Sequence, residues 1–250
     1  MKNDYLTIEW KARKERYAKG YSHYTIDSAE SFYGLFQQRR LRALLRESRG
    51  SVLDVGCADS PLIHWLTVSG HLVVGVDVIV PSRIPNMKSQ RCNFICCVAE
   101  YLPFRKNSFD TIVMGEIIEH VVDPNRVFEE AWRVSNDKIL LTTPNIISNP
   151  LAKYSPDHLR AFSYKTLFNF IRGFHANARL VKQPILPPLP SLIQKVIYAW
   201  ARKRYVPLRQ SFRTGTLVLG ITNGIVKLLE EMSRFFPMLS ATLIIECRKV

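Results

Sequence analysis

The run Ser51-Val52-Leu53-Asp54-Val55-Gly56-Cys57-Ala58-Asp59-Ser60 constrains the fold of this chain more than any other stretch. An apolar segment of strand type meets an acid, a glycine and a tight turn. The helix-like Pro61-Leu62-Ile63-His64-Trp65-Leu66 follows at once. Strand, glycine turn and helix in that order build a nucleotide pocket at the carboxyl end of a strand in α/β sheets. A side chain at Gly56 would keep the backbone from closing on a ligand. A second apolar strand, His71-Leu72-Val73-Val74-Gly75-Val76-Asp77, ends in an acid 21 residues after Gly56. An acid at that strand tip offers two acceptor oxygens to a ribose diol. The dinucleotide fingerprint G-x-G-x-x-G is absent.

On these residues the chain resembles the class I S-adenosylmethionine-dependent methyltransferases. Their first motif, roughly D-x-G-x-G-x-G, stands here as Asp54-Val55-Gly56-Cys57-Ala58-Asp59-Ser60, with the small residues Ala58 and Ser60 in place of two glycines. Ala99-Glu100-Tyr101-Leu102-Pro103-Phe104, followed by Asn107-Ser108-Phe109-Asp110, is similar to the family's D-A-E-x-L-P-F … S-F-D segment, which lines the adenine. Val98 stands where that segment usually has aspartate, which leaves Glu100 or backbone groups for the adenine amino group. The resemblance implies S-adenosylmethionine as cofactor. It places Asp54 at the methionine end, Gly56, Cys57 and Ala58 in the turn, and Asp77 with Val78 at the ribose. Ala99 and Glu100 fall at the adenine, and Gly115 ends the fourth strand. It covers about residues 45–182 and the last strand.

Strand and helix patterns alternate along the chain. Helices are expected over 27–47, from Pro61, over 124–134 behind Pro124, and behind an N-cap at Ser163. Further strands are expected at 94–98, 111–115, 138–143, 179–181 and 241–247, the last two pairing. The alternation predicts an α/β fold: a Rossmann-like, seven-stranded, mainly parallel sheet with helices on both faces. Residues 1–50 read as an N-terminal helical cap, 51–182 as the cofactor-binding core, 183–238 as a helical insertion or lid, and 239–250 as the final strand. All belong to one domain.

Length, 47% apolar and 22% charged residues suit a globular chain and argue against disorder. Met1 to Gly20 lacks an apolar signal core, and no apolar run reaches a membrane span, so a cytoplasmic placement is expected. Five cysteines without zinc spacing read as reduced, buried thiols. The net charge of +14 is uneven: 11 basic against 6 acidic residues in 1–50, 8 against 2 in 183–238, and nearly balanced between. A basic periphery favours an anionic partner, whether phospholipid, RNA or acidic substrate. Leu192 to Tyr205 and Gly215 to Phe236 join apolar faces to Lys and Arg, which suits peripheral membrane contact or a lid over a greasy substrate. A helical insertion packed on the core is the plainer alternative.

His120 follows the fourth strand, where an acceptor should rest, and imidazole chemistry suits a general base near neutral pH. Glu116, Glu119, His120 and the distant His158 have the composition to hold a divalent cation. The set resembles the E-x-x-E-H … H metal residues of small-RNA 2′-O-methyltransferases. E-x-x-E-H also occurs in small-molecule methyltransferases of the quinone-biosynthesis type. The leading expectation is methylation, at oxygen, of a small or lipid-linked acceptor. The alternatives are metal-dependent RNA ribose methylation and a non-catalytic, cofactor-fold adaptor at a membrane.

Overall fold

A computed structural model describes residues 32–58, 60–79, 90–148, 158–174, 177–181 and 242–249. Helix α1 (Phe32–Glu47) precedes strand β1 (Ser51–Val55), followed by α2 (Leu62–Val68) and β2 (Leu72–Asp77). Then come β3 (Cys92–Cys96), β4 (Phe109–Gly115), α3 (Pro124–Val134) and β5 (Ser135–Pro144). The remaining elements are α4 (Tyr164–Arg172), β6 (Asn177–Leu180) and β7 (Thr242–Arg248). The seven strands form one sheet in the order β3-β2-β1-β4-β5-β7-β6. Every pairing from β3 to β5 is parallel, and β7 runs antiparallel between β5 and β6. The expected mainly parallel, seven-stranded α/β sheet is therefore what forms.

Strand periodicity sorts the core into two layers. Val52, Val73, Val113, Leu140 and Ile244 pack with Leu41 and Leu44 of α1 and with Leu62, Ile63 and Leu66 of α2. Their strand neighbours Leu53, Ile112, Met114, Ile139, Leu141 and Ile245 face Val127, Phe128 and Ala131 of α3 and Leu167 and Ile171 of α4. Burial on both faces explains why the central strands read as apolar runs rather than alternating ones. The predicted stripe of α3 is buried at Val127, Phe128 and Ala131, while Trp132 is half-buried and stacked on Phe128. Asp123 caps α3 by accepting from the Arg126 amide, with Pro124 in the first turn. Ser163 caps α4 in a reciprocal pair with Thr166.

Several details differ from the sequence reading. The third strand starts and ends two residues earlier than expected, so Cys97 and Val98 lie past it. Cys97 still joins the sheet, its amide donating to the Asp77 carbonyl at 3.0 Å. The cysteines are free, but only Cys57 and Cys247 are buried, and Cys96 is exposed. Arg40, which lies between Arg39 and Arg42 in an arginine-rich helix, is 5% exposed. The proposed start of α1 at 27, residues 1–31 of the cap and the 183–238 insertion lie outside the described residues.

Where β5, β7 and β6 meet, charge rather than apolar packing fills the space. Glu246, 1% exposed, accepts from Arg179 at 2.8 and 3.0 Å and from Arg248 at 2.7 Å. Lys138, 2% exposed, places its ammonium 3.6 Å from the same carboxylate. Burial alone would raise the Glu246 pKa; the hydrogen bonds from Arg179 and Arg248 and the Lys138 charge outweigh it and bring it to about 2.

Candidate active site

The glycine turn fixes the site. Gly56 and Cys57 both donate to the Val76 carbonyl, at 2.8 and 3.1 Å, which stitches the end of β1 to the tip of β2. Ala58, at φ 43, then points its amide at Asp77, donating to Oδ2 at 2.9 Å. The left-handed conformation is one that glycine takes without strain, which accounts for the family preference there. Gly56 itself has φ +72, and a Cβ on it would meet Ile117 Cδ1 at 2.5 Å. The backbone thus passes so close to the loop after β4 that only hydrogen fits.

A shallow cleft, partly open to solvent, lies at this carboxyl edge of the sheet. Gly56, Asp77, Val78 and Ala99 line it, as do Glu116 and His120. Cys97, Ile117 and Val121 also face it, and no motif in the sequence marked them. The other expected residues stand behind that wall. Cys57 is buried in the α1–α2 layer with its sulfur toward Gly75. Glu100 is buried, with its carbonyl accepting from Arg126 Nε at 3.2 Å. Ala58 reaches the cleft through Asp77, and Gly115 lies under Arg40.

Asp54 is 3% exposed, and its Oδ2 has no hydrogen-bond partner among the described residues. Burial, offset in part by Arg40 and reinforced by Asp77, raises its pKa to about 7. Arg40 reaches from α1 across the ends of β4 and β5. Its Nη1 donates to Thr142 Oγ1 at 3.2 Å and lies where a Cβ on Gly115 would touch it, at 3.2 Å. Thr142 in turn donates to Glu116 Oε1 at 3.1 Å. Glu116 holds φ 57, a strained backbone for a side-chain-bearing residue. Arg40 shares a face of α1 with buried Ala43 and Leu44, but its charge makes it read as a solvated residue; the acids that face it from other elements cannot be seen in the helix alone.

The loop after β4 and the segment before α4 bring three of the four metal candidates together. One ligand atom each of Glu119, His120 and His158 falls within 4.8 Å of the others. The imidazoles of His120 and His158 meet edge to face, centroids 4.7 Å apart. Glu119 is 1% exposed; its Oε2 accepts from Thr143 Oγ1 at 3.1 Å, and its Oε1 has no hydrogen-bond partner among the described residues. Burial first and the Glu116 charge second hold its pKa well above the carboxylate range. Glu116 stands outside this group, bound to Thr142.

The family model described as "Methyltransferase domain" matches residues 53–138, which contain the turn, both acids and the strand that leads to His120. The chain contains a class I S-adenosylmethionine-dependent methyltransferase domain. A ubiquinone biosynthesis O-methyltransferase of Coxiella burnetii is 34% identical to it over 83 residues, 31% of this chain and 36% of the relative. The chain thus aligns with about a third of that curated relative's length. Among solved structures, a Burkholderia thailandensis 1,6-didemethyltoxoflavin-N1-methyltransferase with bound S-adenosylhomocysteine superposes with TM-score 0.59. It is 14% identical and covers 99% of this chain and 90% of its own. A SAM-dependent methyltransferase from Archaeoglobus fulgidus superposes with TM-score 0.54 at 18% identity, covering 88% of this chain and 100% of its own. At these identities the structural matches establish the fold of the methyltransferase domain. No helix among the described residues is long and apolar enough to cross a membrane.

Asp54 makes a pH prediction for this methyltransferase domain. Its folded pKa of about 7 lies above the ordinary 3.8, so the folded protein retains a proton that the unfolded chain releases. Its burial therefore costs stability progressively as pH rises from about 4 to 7. A cationic ligand group beside the side chain reverses the balance by favouring the carboxylate. S-adenosylhomocysteine, whose amino group is cationic, should bind with release of about half a proton at pH 7, read by calorimetry in two buffers of different ionisation enthalpy. Asp54→Asn should abolish that release.

Proposed function

We propose that the protein transfers a methyl group from S-adenosylmethionine to a hydroxyl oxygen of a small or lipid-linked acceptor. The supporting observation is the position of His120, in the same cleft as Asp77 and one loop away from Gly56. The residues present fit the cofactor. Gly56 lines the cleft beside Asp77, which offers carboxylate oxygens at its wall. Asp54 and Arg40 are a buried acid and cation coupled to one another next to Asp77, which is the charge pairing an amino-acid terminus would need. The cofactor, when bound, supplies an electrophilic methyl group on sulfur.

The protein's own task is alignment and proton uptake. Asp77 anchors the ribose diol, Cys97 and Ala99 flank the adenine end, and His120 accepts the acceptor's hydroxyl proton. His158, edge-on to His120, and buried Glu119 hold that imidazole in place. The same three side chains carry the donors for a divalent cation, which would supply a Lewis acid at the acceptor oxygen. Their convergence is the specific support for a second reading, metal-dependent methylation of RNA ribose. Membrane contact through 183–238 belongs to the lipid-linked reading and to residues outside those described.

Incubating the full chain with S-adenosylmethionine labelled in its methyl group separates these readings. Label entering organic-extractable small molecules from a lipid and quinone extract, and falling at least 100-fold in His120→Ala, is expected. Label entering RNA only with Mn²⁺, and lost in His158→Ala, would establish the ribose reading instead. No transfer and no heat of S-adenosylhomocysteine binding would leave the adaptor.

A further inference from the structure

The loop that carries Glu116, Glu119 and His120 has little regular structure of its own: within it, His120 donates to the Ile117 carbonyl at 2.9 Å. Its outward carbonyls are bound instead from one short strap, residues 158–160. Leu159 and Arg160 donate their amides to the Glu119 carbonyl, at 2.9 and 3.3 Å. The Arg160 guanidinium donates Nη1 to the carbonyls of Ile118, at 3.2 Å, and Val121, and Nη2 to that of Val122, at 2.9 Å. The strap is fixed in turn by Phe162, which is buried, bridges to Asn145 and accepts from the Ile146 amide at 2.9 Å.

We propose that Arg160 is a positioning residue: its planar fork gathers the carbonyls of the post-β4 loop and so seats His158 against His120. A guanidinium spreads its donors in a rigid plane, whereas an ammonium presents a compact point of charge. Two separate nitrogens, Nη1 and Nη2, thus reach carbonyls spread from Ile118 to Val122 in one fork, a spacing that the single nitrogen of a lysine does not reproduce. The clamp acts two residues from His158 and on both sides of His120, so it sets the ring-to-ring geometry through the backbone that carries both imidazoles. Its use in catalysis rests on the reading of His120 given above; the clamp itself does not.

Arg160→Ala and Arg160→Lys in the full chain test this. The imidazole resonances of His120 and His158, assigned by His→Gln substitutions, should shift in both variants. The Leu159 amide should exchange with solvent at least 10-fold faster in both. Affinity for Mn²⁺, used as the probe, should fall 10- to 100-fold in Arg160→Ala. Binding of S-adenosylhomocysteine should stay within about twofold, because the ribose and turn contacts lie elsewhere. Millimolar guanidinium should restore the ring resonances of Arg160→Ala. Unchanged resonances and amide exchange in Arg160→Ala would overturn the clamp, as would resonances in Arg160→Lys that match the wild type. If Arg160→Ala fails to fold, Arg160→Lys decides by the same two measurements. Absence of Mn²⁺ binding in the wild type would remove the metal reading while the resonances and exchange still judge Arg160.

Discussion

Asp77→Ala is expected to weaken S-adenosylhomocysteine binding by about 100-fold or more, equivalent to ~2.7 kcal/mol. Two losses combine. The ribose hydroxyls lose their charged acceptor, and hydrogen bonds to charged groups are worth ~1.5–3 kcal/mol each. The glycine turn also loses its tie, since Asp77 Oδ2 holds the Ala58 amide at 2.9 Å and Oδ1 the Ile79 amide at 3.3 Å. Asp77→Asn should fall between, because its amide group fits the same space but brings a donor where acceptors are needed. Titration calorimetry measures both, with thermal unfolding of the free proteins as the control for folding. Affinity within threefold of wild type in Asp77→Ala would refute the ribose assignment, and with it the orientation of the cofactor.

The second large effect is on stability. Glu246→Ala is expected to cost about 3 kcal/mol, because it strands the Lys138 ammonium at 2% exposure and removes a shared acceptor of Arg179 and Arg248. Replacing the pair together, Lys138→Met with Glu246→Leu, should recover most of that loss, since a buried ion pair is often no more stable than apolar residues of similar volume. Urea unfolding of the three variants reads the difference. The pH dependence has a definite sign. Glu246 titrates at about 2 in the folded protein against 4.5 ordinarily, so its contribution is complete above about 5 and declines as pH falls through 4.5 toward 2. Equal stability of Glu246→Ala and wild type at pH 7 would show the network to be dispensable.

The central sheet was legible because β1, β2 and β4 are short apolar runs that end in glycine or acid, a pattern with few other foldings. Register at the ends was less so. Cys97 and Val98 continue the apolar run of β3 but lie beyond it: the last registered pair is Asp77 with Cys96, and only the Cys97 amide still reaches the Asp77 carbonyl. Arg40 shows a different gap. A helical wheel puts it on the buried face with Ala43 and Leu44, where a charge looks out of place, and the partners that accommodate it, Thr142 and Asp54, lie on strands more than ten residues away. The Glu119–His120–His158 cluster was visible as composition, but the separation of His158 from the loop leaves its contact to the strap. Glu116 belonged to the same sequence pattern and went elsewhere, drawn by Thr142 at the end of β5.

The antiparallel final strand has a consequence for how such a protein diversifies. β6 and β7 pair as Leu180↔Ile245, and the Val181 amide still donates to Ile244 at 2.8 Å, so the chain departs and returns at neighbouring points. That doorway opens on the edge where Pro144, paired with Thr242, ends β5, the same edge that bears the cleft. Whatever is threaded through it is tethered at both ends by the sheet, and doubling its length adds only ~0.6 kcal/mol of closure entropy. Grafting another segment between 181 and 242 is thus a low-cost exchange that leaves the sheet and the residues of the cleft in place.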